Sequence, residues 1–471
     1  MGQQSFRQQF PRPGWVEHDP EEIWSSTQTA IAEALKQAGT APRELAAVGI
    51  ANQRETVIAW ERASGIAVHN AIVWQDRRTT EHCEALRDAG QEETVRQLTG
   101  LTLDPYFSGT KLTWLLREDA GLRRRATAGE LAAGTVDSWL LWKLTGGRAH
   151  LTDFTNASRT LLFDIRRTRW DEGLCDLFEV PRGLLAEPQP SGASFGHTAE
   201  EVLGAEVPIF AVAGDQAAAL FGQACFERGQ AKNTYGTGCF LLAHAGAEAT
   251  LSRNRLLTSC AATTSGGPAA YALEGSVFVA GSLVQWLRDE LGIIQRSDEI
   301  EALAASVPDN GGVTIVPAFT GLGAPYWDPR ARGAILGLTR GTTRAHIARA
   351  ALEAIALSSA ELIEAMAADL GAPLGELRVD GGAAANDLLM QMQADFSGIV
   401  VQRPANTETT AMGAAYLAGM GAGVWRSGDE VSALARPERR FVPATNASER
   451  EVRMRDWRVQ VERVLQVPGT R

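Results

Sequence analysis

The sequence predicts an α/β protein built as two domains that face a shared cleft. Three observations carry this. A chain of 471 residues exceeds one ordinary core, and at roughly 100–200 residues per domain it calls for two or three compact units. Short apolar runs alternate with amphipathic helical stretches along its length. The 47 glycines, a high share, cluster beside those apolar runs, where α/β proteins place their ligand loops. With 45% hydrophobic and 21% charged residues the composition is that of a soluble globular protein, and the net charge of −11 argues against nucleic acid as a partner. The five cysteines form no CxxC pair, the seven histidines form no HExxH, and no apolar run approaches the ~20 residues of a membrane span. Met1–Phe6 carries no apolar segment of a signal peptide. The expectation is a cytoplasmic enzyme with no membrane partner.

Taken in order, Ser5 to Phe10 reads as a short strand, ended by Pro11, Pro13 and Gly14. Asp19-Pro20 supplies an N-cap and a first-turn proline for a helix from about Glu21 to Gln37. Leu45 to Ile50 and Thr56 to Trp60 read as strands, with Asn52 to Glu55 between them at a carboxyl end. Arg77 to Leu144 reads as α-rich, and Leu161 to Asp164 as a strand. Val207 to Ala213 is a continuous apolar strand ending in Gly214-Asp215-Gln216, with a helix at once after it (Ala217 to Gln223). Gln230 to Tyr235 and Phe240 to His244 form a hairpin around Gly236-Thr237-Gly238. The organisation changes between Gly222 and Gly229, which places the boundary near 224/225, with domains 1–224 and 225–471. Beyond it, Thr343 and Gly371 bracket a long helix, and Leu377–Asp380, Asn386–Phe396, Val400–Arg403 and Thr409–Met420 make a βαβ unit and a further helix.

Asp215 is the sharpest chemical candidate. It follows a buried strand and precedes a helix, so its carboxylate sits where open sheets bind ligands and can take a proton from a hydroxyl or hold Mg²⁺. The same position equally suits a helix N-cap. Gly236-Thr237-Gly238 lets backbone N–H groups approach an anion, or is an ordinary turn. Gly381-Gly382 with Asn386 offers a helix N-terminus to a nucleotide, or a tight strand–helix packing. Arg54-Glu55 sets donors beside an acceptor and so suits a polyol, or is a surface ion pair. Trp74 and Tyr106 can cover the CH face of such a ligand, or serve as core. No Walker or GxGxxG motif occurs.

The runs Pro13 to Pro20, Asn52 to Glu55, Ile72 to Gln75, Pro105 to Lys111, Gly214 to Gln216, Asn233 to Phe240, Pro317 to Trp327 and Asp380 to Ala383 occur in this order. Together they make the chain resemble the FGGY carbohydrate kinase family over nearly its full length. The resemblance implies two ribonuclease-H-like (actin-like ATPase) domains flanking a central cleft. It implies transfer of the γ-phosphoryl group of ATP to glycerol, giving sn-glycerol 3-phosphate in glycerol uptake and catabolism. Arg54, Glu55, Tyr106, Asp215 and Gln216 would hold the hydroxyls, and Trp74 and Phe240 would pack on the carbons. Asp215 would be the base, and the residue nearest Mg²⁺. Thr237 and Gly238 would hold phosphates, while Gly281, Gln285, Gly382 and Asn386 would line the nucleotide site. Arg54-Glu55 favours glycerol over a pentulose within the family. A homodimer or homotetramer is implied as well.

Family members open with a strand–turn–strand that carries an Asp-x-Gly-Thr-Thr-Ser-type phosphate loop. Met1 to Phe10 matches the strand after it, so about 20 residues of the family pattern, two strands and a turn, precede the match. The expectations are a first domain short of a central strand, impaired turnover and a mis-assigned start, with an inactive paralogue as the alternative. The acidic stretch His197 to Glu206 replaces the basic loop with which some members bind fructose bisphosphate, so no such inhibition is expected. No histidine loop of the kind that sugar-transport proteins phosphorylate is visible. The rival readings are a kinase of the same family for another polyol or ketose, and a non-catalytic, actin-like ligand-binding protein.

Overall fold

The computed structural model describes residues 1–465. The first helix, Pro20–Ala38, starts as its sequence demands: Asp19 accepts a hydrogen bond from the Glu21 N–H at 2.8 Å, and Gly39 closes the helix in the left-handed region. Ser5 to Phe10 forms no strand; Gln9 alone makes a bridge to Glu17, and Ser5, Arg7 and Gln8 stay exposed.

In the first half, Glu17–His18, Ala71–Ile72, Val57–Glu61 and Leu131–Thr135 lie side by side as a four-stranded antiparallel sheet. Within the α-rich stretch Arg77 to Leu144, Leu131–Thr135 is a strand the sequence reading did not single out. Its Ala-rich sequence lacks strand propensity, and pairing with Val57–Glu61 from Val57↔Thr135 to Glu61↔Leu131 decides its conformation. The expected strand Leu161 to Asp164 is cut to Phe163–Asp164, because Leu161 takes a positive φ of 68°. Val48–Asn52 and Ile209–Gly214 form a separate parallel pair in register at Gly214↔Asn52, so Asp215 and the Gln53-Arg54-Glu55 turn leave the same sheet edge.

The second half is a seven-stranded sheet in the order Leu257–Cys260, Tyr271–Val277, Cys239–Gly246, Ala231–Tyr235, Glu376–Asp380, Val400–Pro404, Pro437–Phe441. The three strands Ala231–Tyr235, Glu376–Asp380 and Val400–Pro404 are parallel neighbours, and Thr234 is level with Asp380. Gly236 and Gly381 therefore emerge together at one carboxyl edge, the place where such sheets take ligands. The helix Arg344–Leu370 carries Leu352, Ile355, Leu362 and Met366 into the core beneath.

The halves are joined by helix packing as well as by the chain. Helices Asp215–Gly222 and Thr409–Gly421 cross so closely that a Cβ on Gly413 would sit 1.8 Å from the Ala218 carbonyl oxygen. No helix among the described residues is long and apolar enough to cross a membrane.

Candidate active site

Asp215 opens the helix Asp215–Gly222, but Gly214 takes the N-cap position. The carboxylate instead accepts from the Gln216 N–H at 2.7 Å through Oδ1 and is 35% exposed on the cleft. The strand end beneath it is pinned: the Gly214 N–H donates to Thr155 Oγ1 at 2.7 Å, and that hydroxyl donates to Asp153 at 2.7 Å. Burial of the surrounding wall pushes the Asp215 pKa up, with the Arg54 charge opposing and Glu55 adding to the rise. A carboxylate displaced in that direction is a better proton acceptor than a free one.

Arg54 and Glu55 are no surface ion pair. Both are buried, at 3% and 2% exposure, and each has its main partner elsewhere. Arg54 sends Nη1 and Nη2 to Glu274 at 2.6 and 2.8 Å, while Glu55 accepts from Arg159 Nε at 2.6 Å. Arg54 Nε is left without a hydrogen-bond partner, 3.3 Å from Asp215 Oδ1 and 3.8 Å from Glu55 Oε1. A buried N–H in that state is a ready donor for a ligand oxygen. Burial works against charge on Glu274, but Arg159 and Arg54 outweigh it and lower its pKa to about 2.

An aromatic wall faces this polar floor. Trp74 meets Tyr106 edge to face at 5.7 Å and Phe240 at 6.2 Å, the latter reaching across from the second half. Burial and the Glu55 charge push the Tyr106 pKa up, so its phenol stays protonated. Gln216 sits deeper, its amide oxygen bonded by the ammonium of Lys232. This grouping of polar side chains and aromatic rings suits a small molecule with CH faces and hydroxyl ends.

A cavity of about 550 Å³ lies beside the Gly236 and Gly381 turns, lined by Thr237, Gly281, Gln285, Gly382 and Asn386 together with Asp298. Five predicted nucleotide residues thus share one cavity. Gly238 does not line it: a Cβ there would lie 2.4 Å from the Val277 carbonyl, so this glycine serves strand packing. Asn386 Oδ1 is occupied as the N-cap of Asp387–Ser397, accepting from the Leu389 N–H at 2.8 Å. The Thr237 carbonyl accepts from the N–H groups of Ala280 and Ser282, which locks the turn to the start of helix Gly281–Asp289.

Sequence reasoning missed Arg159, Glu274, Lys111 and Lys232. Glu274 alone carried a signal, a single charge within the mostly apolar run Tyr271–Val277. Among the described residues no group of three or more His, Cys, Asp or Glu could hold a metal by itself. One open carboxylate at Asp215 fits a magnesium ion carried mainly by phosphate oxygens and water.

The N-terminal domain model of the FGGY family of carbohydrate kinases matches residues 1–222, and its C-terminal domain model matches residues 231–422. The glycerol kinase of Delftia acidovorans is 59% identical over 452 residues, 95% of this chain and 91% of that protein. The glycerol kinase of Deinococcus radiodurans is 57% identical over 463 residues, 98% of this chain and 92% of its own. Among solved structures, Plasmodium falciparum glycerol kinase with ADP superposes with a TM-score of 0.91 at 35% identity, covering 99% of this chain and 93% of that one. A ligand-bound xylulose kinase from Lactobacillus acidophilus, 18% identical with a TM-score of 0.86 over 99% of this chain and 93% of its own, shares the fold.

Proposed function

The chain belongs to the FGGY carbohydrate kinase family, and from that premise we propose that it transfers the γ-phosphoryl group of ATP to a terminal hydroxyl of glycerol. The products are sn-glycerol 3-phosphate and ADP. The observation that carries the reading is the contrast between Asp215 and its neighbours. Arg54, Glu55, Arg159 and Glu274 are buried and hydrogen-bonded to one another, whereas the Asp215 carboxylate, 3.3 Å from Arg54 Nε, keeps 35% of its side chain exposed.

In this reading Arg54 Nε and the Glu55 carboxylate hold hydroxyls, Tyr106 and Gln216 add polar contacts, and Trp74 and Phe240 cover the carbons. Asp215 accepts the proton of the attacking hydroxyl as the new O–P bond forms and the bond to the β-phosphate bridging oxygen breaks. Such a base typically contributes ~10²–10⁴ in rate. The nucleotide occupies the cavity at Thr237, Gly281, Gln285, Gly382 and Asn386. Magnesium, when bound, would offset phosphate charge, with the Asp215 carboxylate a residue that would help to hold it. Residues 1–224 would then be the glycerol-binding domain and 225–471 the nucleotide-binding domain, working in the cytoplasm as a homodimer or homotetramer.

Glycerol in preference to a pentulose is supported by 57–59% identity to proteins named glycerol kinase, against 18–24% to the solved xylulose and gluconate kinases. The test is ADP release from MgATP with and without glycerol, in the native chain and in Asp215→Asn. Glycerol-dependent release that falls at least ~10²-fold in the variant is expected. Release that prefers a pentulose, or that survives the substitution, would overturn the assignment.

A further inference from the structure

The charge ring under the polar floor crosses the cleft. Arg54, Glu55 and Arg159 come from the first half, and Glu274 and Ser259 from the second sheet. Glu274 is fully buried and accepts from Arg54 Nη1 at 2.6 Å, Arg54 Nη2 at 2.8 Å and Arg159 Nη2 at 3.1 Å. Arg159 closes the ring on Glu55 at 2.6 Å and on Ser259 Oγ at 3.0 Å. Two guanidinium groups thus balance two carboxylates.

The consequence is chemical. An arginine with a free Nη fork is a strong receptor for carboxylates and phosphates, because it offers two parallel charge-assisted bonds. Here the fork is spent on Glu274, and only the single buried Nε donor is left without a hydrogen-bond partner, with Asp215 and Glu55 beside it. One directed donor among carboxylates suits a neutral hydroxyl and repels an anion. A buried ion pair is weak evidence for stability alone, since apolar residues of like volume often serve as well.

We propose that Glu274 is a specificity-determining, positioning residue: by occupying the Arg54 fork it makes the acceptor site select neutral polyols against their anionic analogues. This rests on the glycerol reading above, and it places the selecting residue in the half that does not itself supply the hydroxyl-holding pair.

The experiment separates the two. Calorimetric binding of glycerol and of glycerate, which differs by a carboxylate in place of a CH₂OH, is measured for the native protein, Glu274→Gln and Glu274→Asp. KM for ATP and turnover are recorded alongside. The native protein should bind glycerol and reject glycerate. Glu274→Gln should weaken glycerol and strengthen glycerate, moving their affinity ratio at least ~10-fold, while KM for ATP stays put. A loss of folded protein would instead lower kcat and leave both KM values unchanged. Glu274→Asp keeps the charge but shortens the reach, so the ratio should move the same way by a smaller factor. If Glu274→Gln does not fold, an unchanged ratio in Glu274→Asp overturns the proposal. An unchanged ratio in folded Glu274→Gln does so directly. Binding as predicted without glycerol turnover would remove the kinase reading alone, and native protein that does not bind glycerol would remove both.

Discussion

The ammonium of Lys111 lies 2.5 Å from the carbonyl oxygen of Tyr106. It reaches the carbonyls of Glu55 at 3.3 Å and Phe107 at 3.4 Å as well, and the side chain is fully buried. One buried amine therefore ties the turn that carries Glu55 to the loop that carries Tyr106, so two of the residues proposed to hold the acceptor share a single anchor.

Replacing that anchor with an apolar side chain of similar length should act on fold and site together. Lys111→Met leaves buried carbonyls without their donor, at about 1–3 kcal/mol for each one left unsatisfied. A lower urea midpoint is expected, with KM for glycerol raised more than KM for ATP, because the nucleotide cavity lies away from this loop. Native KM values beside a lowered midpoint would show that the tie acts only on global stability.

Asp137 provides a pH test. Its carboxylate is fully buried, accepts from Thr152 Oγ1 at 2.7 Å and from Thr135 Oγ1, and burial together with the Asp153 charge raises its pKa to about 7. The unfolded chain titrates this group near 3.8. Between these values the folded state holds a proton that the unfolded state has lost, so stability from this group is full below about 4 and declines as the pH rises towards 7. Asp137→Asn has no proton to lose. Relative to the native protein it should gain about 2–3 kcal/mol between pH 5 and pH 8 by urea denaturation. A difference that is flat with pH would mean that Asp137 is ionised throughout.

The parts legible from sequence were those with local causes. Asp19-Pro20 announced a helix start, Gly371 announced a helix end, and Gly236-Thr237-Gly238 announced a hairpin that forms in the register Tyr235↔Cys239. The Leu131–Thr135 strand was not legible, because its cause is a partner strand some seventy residues earlier in the chain. The acceptor site divides in the same way. Arg54, Glu55 and Asp215 stand at strand ends and could be picked out by position, whereas Glu274 meets Arg54 across 220 residues of sequence. A lone acid in an apolar strand signals that a buried partner exists. It does not say which one, so adjacency in sequence leaves Arg54 and Glu55 open to pairing with each other, whereas Glu274 and Arg159 are their partners.

Adjacent glycines at the nucleotide cavity separate a backbone role from a ligand role. Gly381 has φ of 84°, and a Cβ there would lie 2.6 Å from the Tyr235 carbonyl oxygen, so Gly381→Ala is strained by conformation and by contact. It should cost about 1–3 kcal/mol or more in stability, seen in the urea midpoint. Gly382 lines the cavity, and a Cβ there would meet nothing within 4 Å. Gly382→Val should therefore leave the midpoint within about 0.5 kcal/mol of the native value while its side chain fills space that a nucleotide needs. KM for ATP should rise at least ~10-fold with KM for glycerol unchanged. The neighbour cannot mimic this pattern, because strain at 381 acts on the strand ends of the whole sheet edge. If Gly382→Val leaves KM for ATP at the native value, the cavity is not where the nucleotide binds.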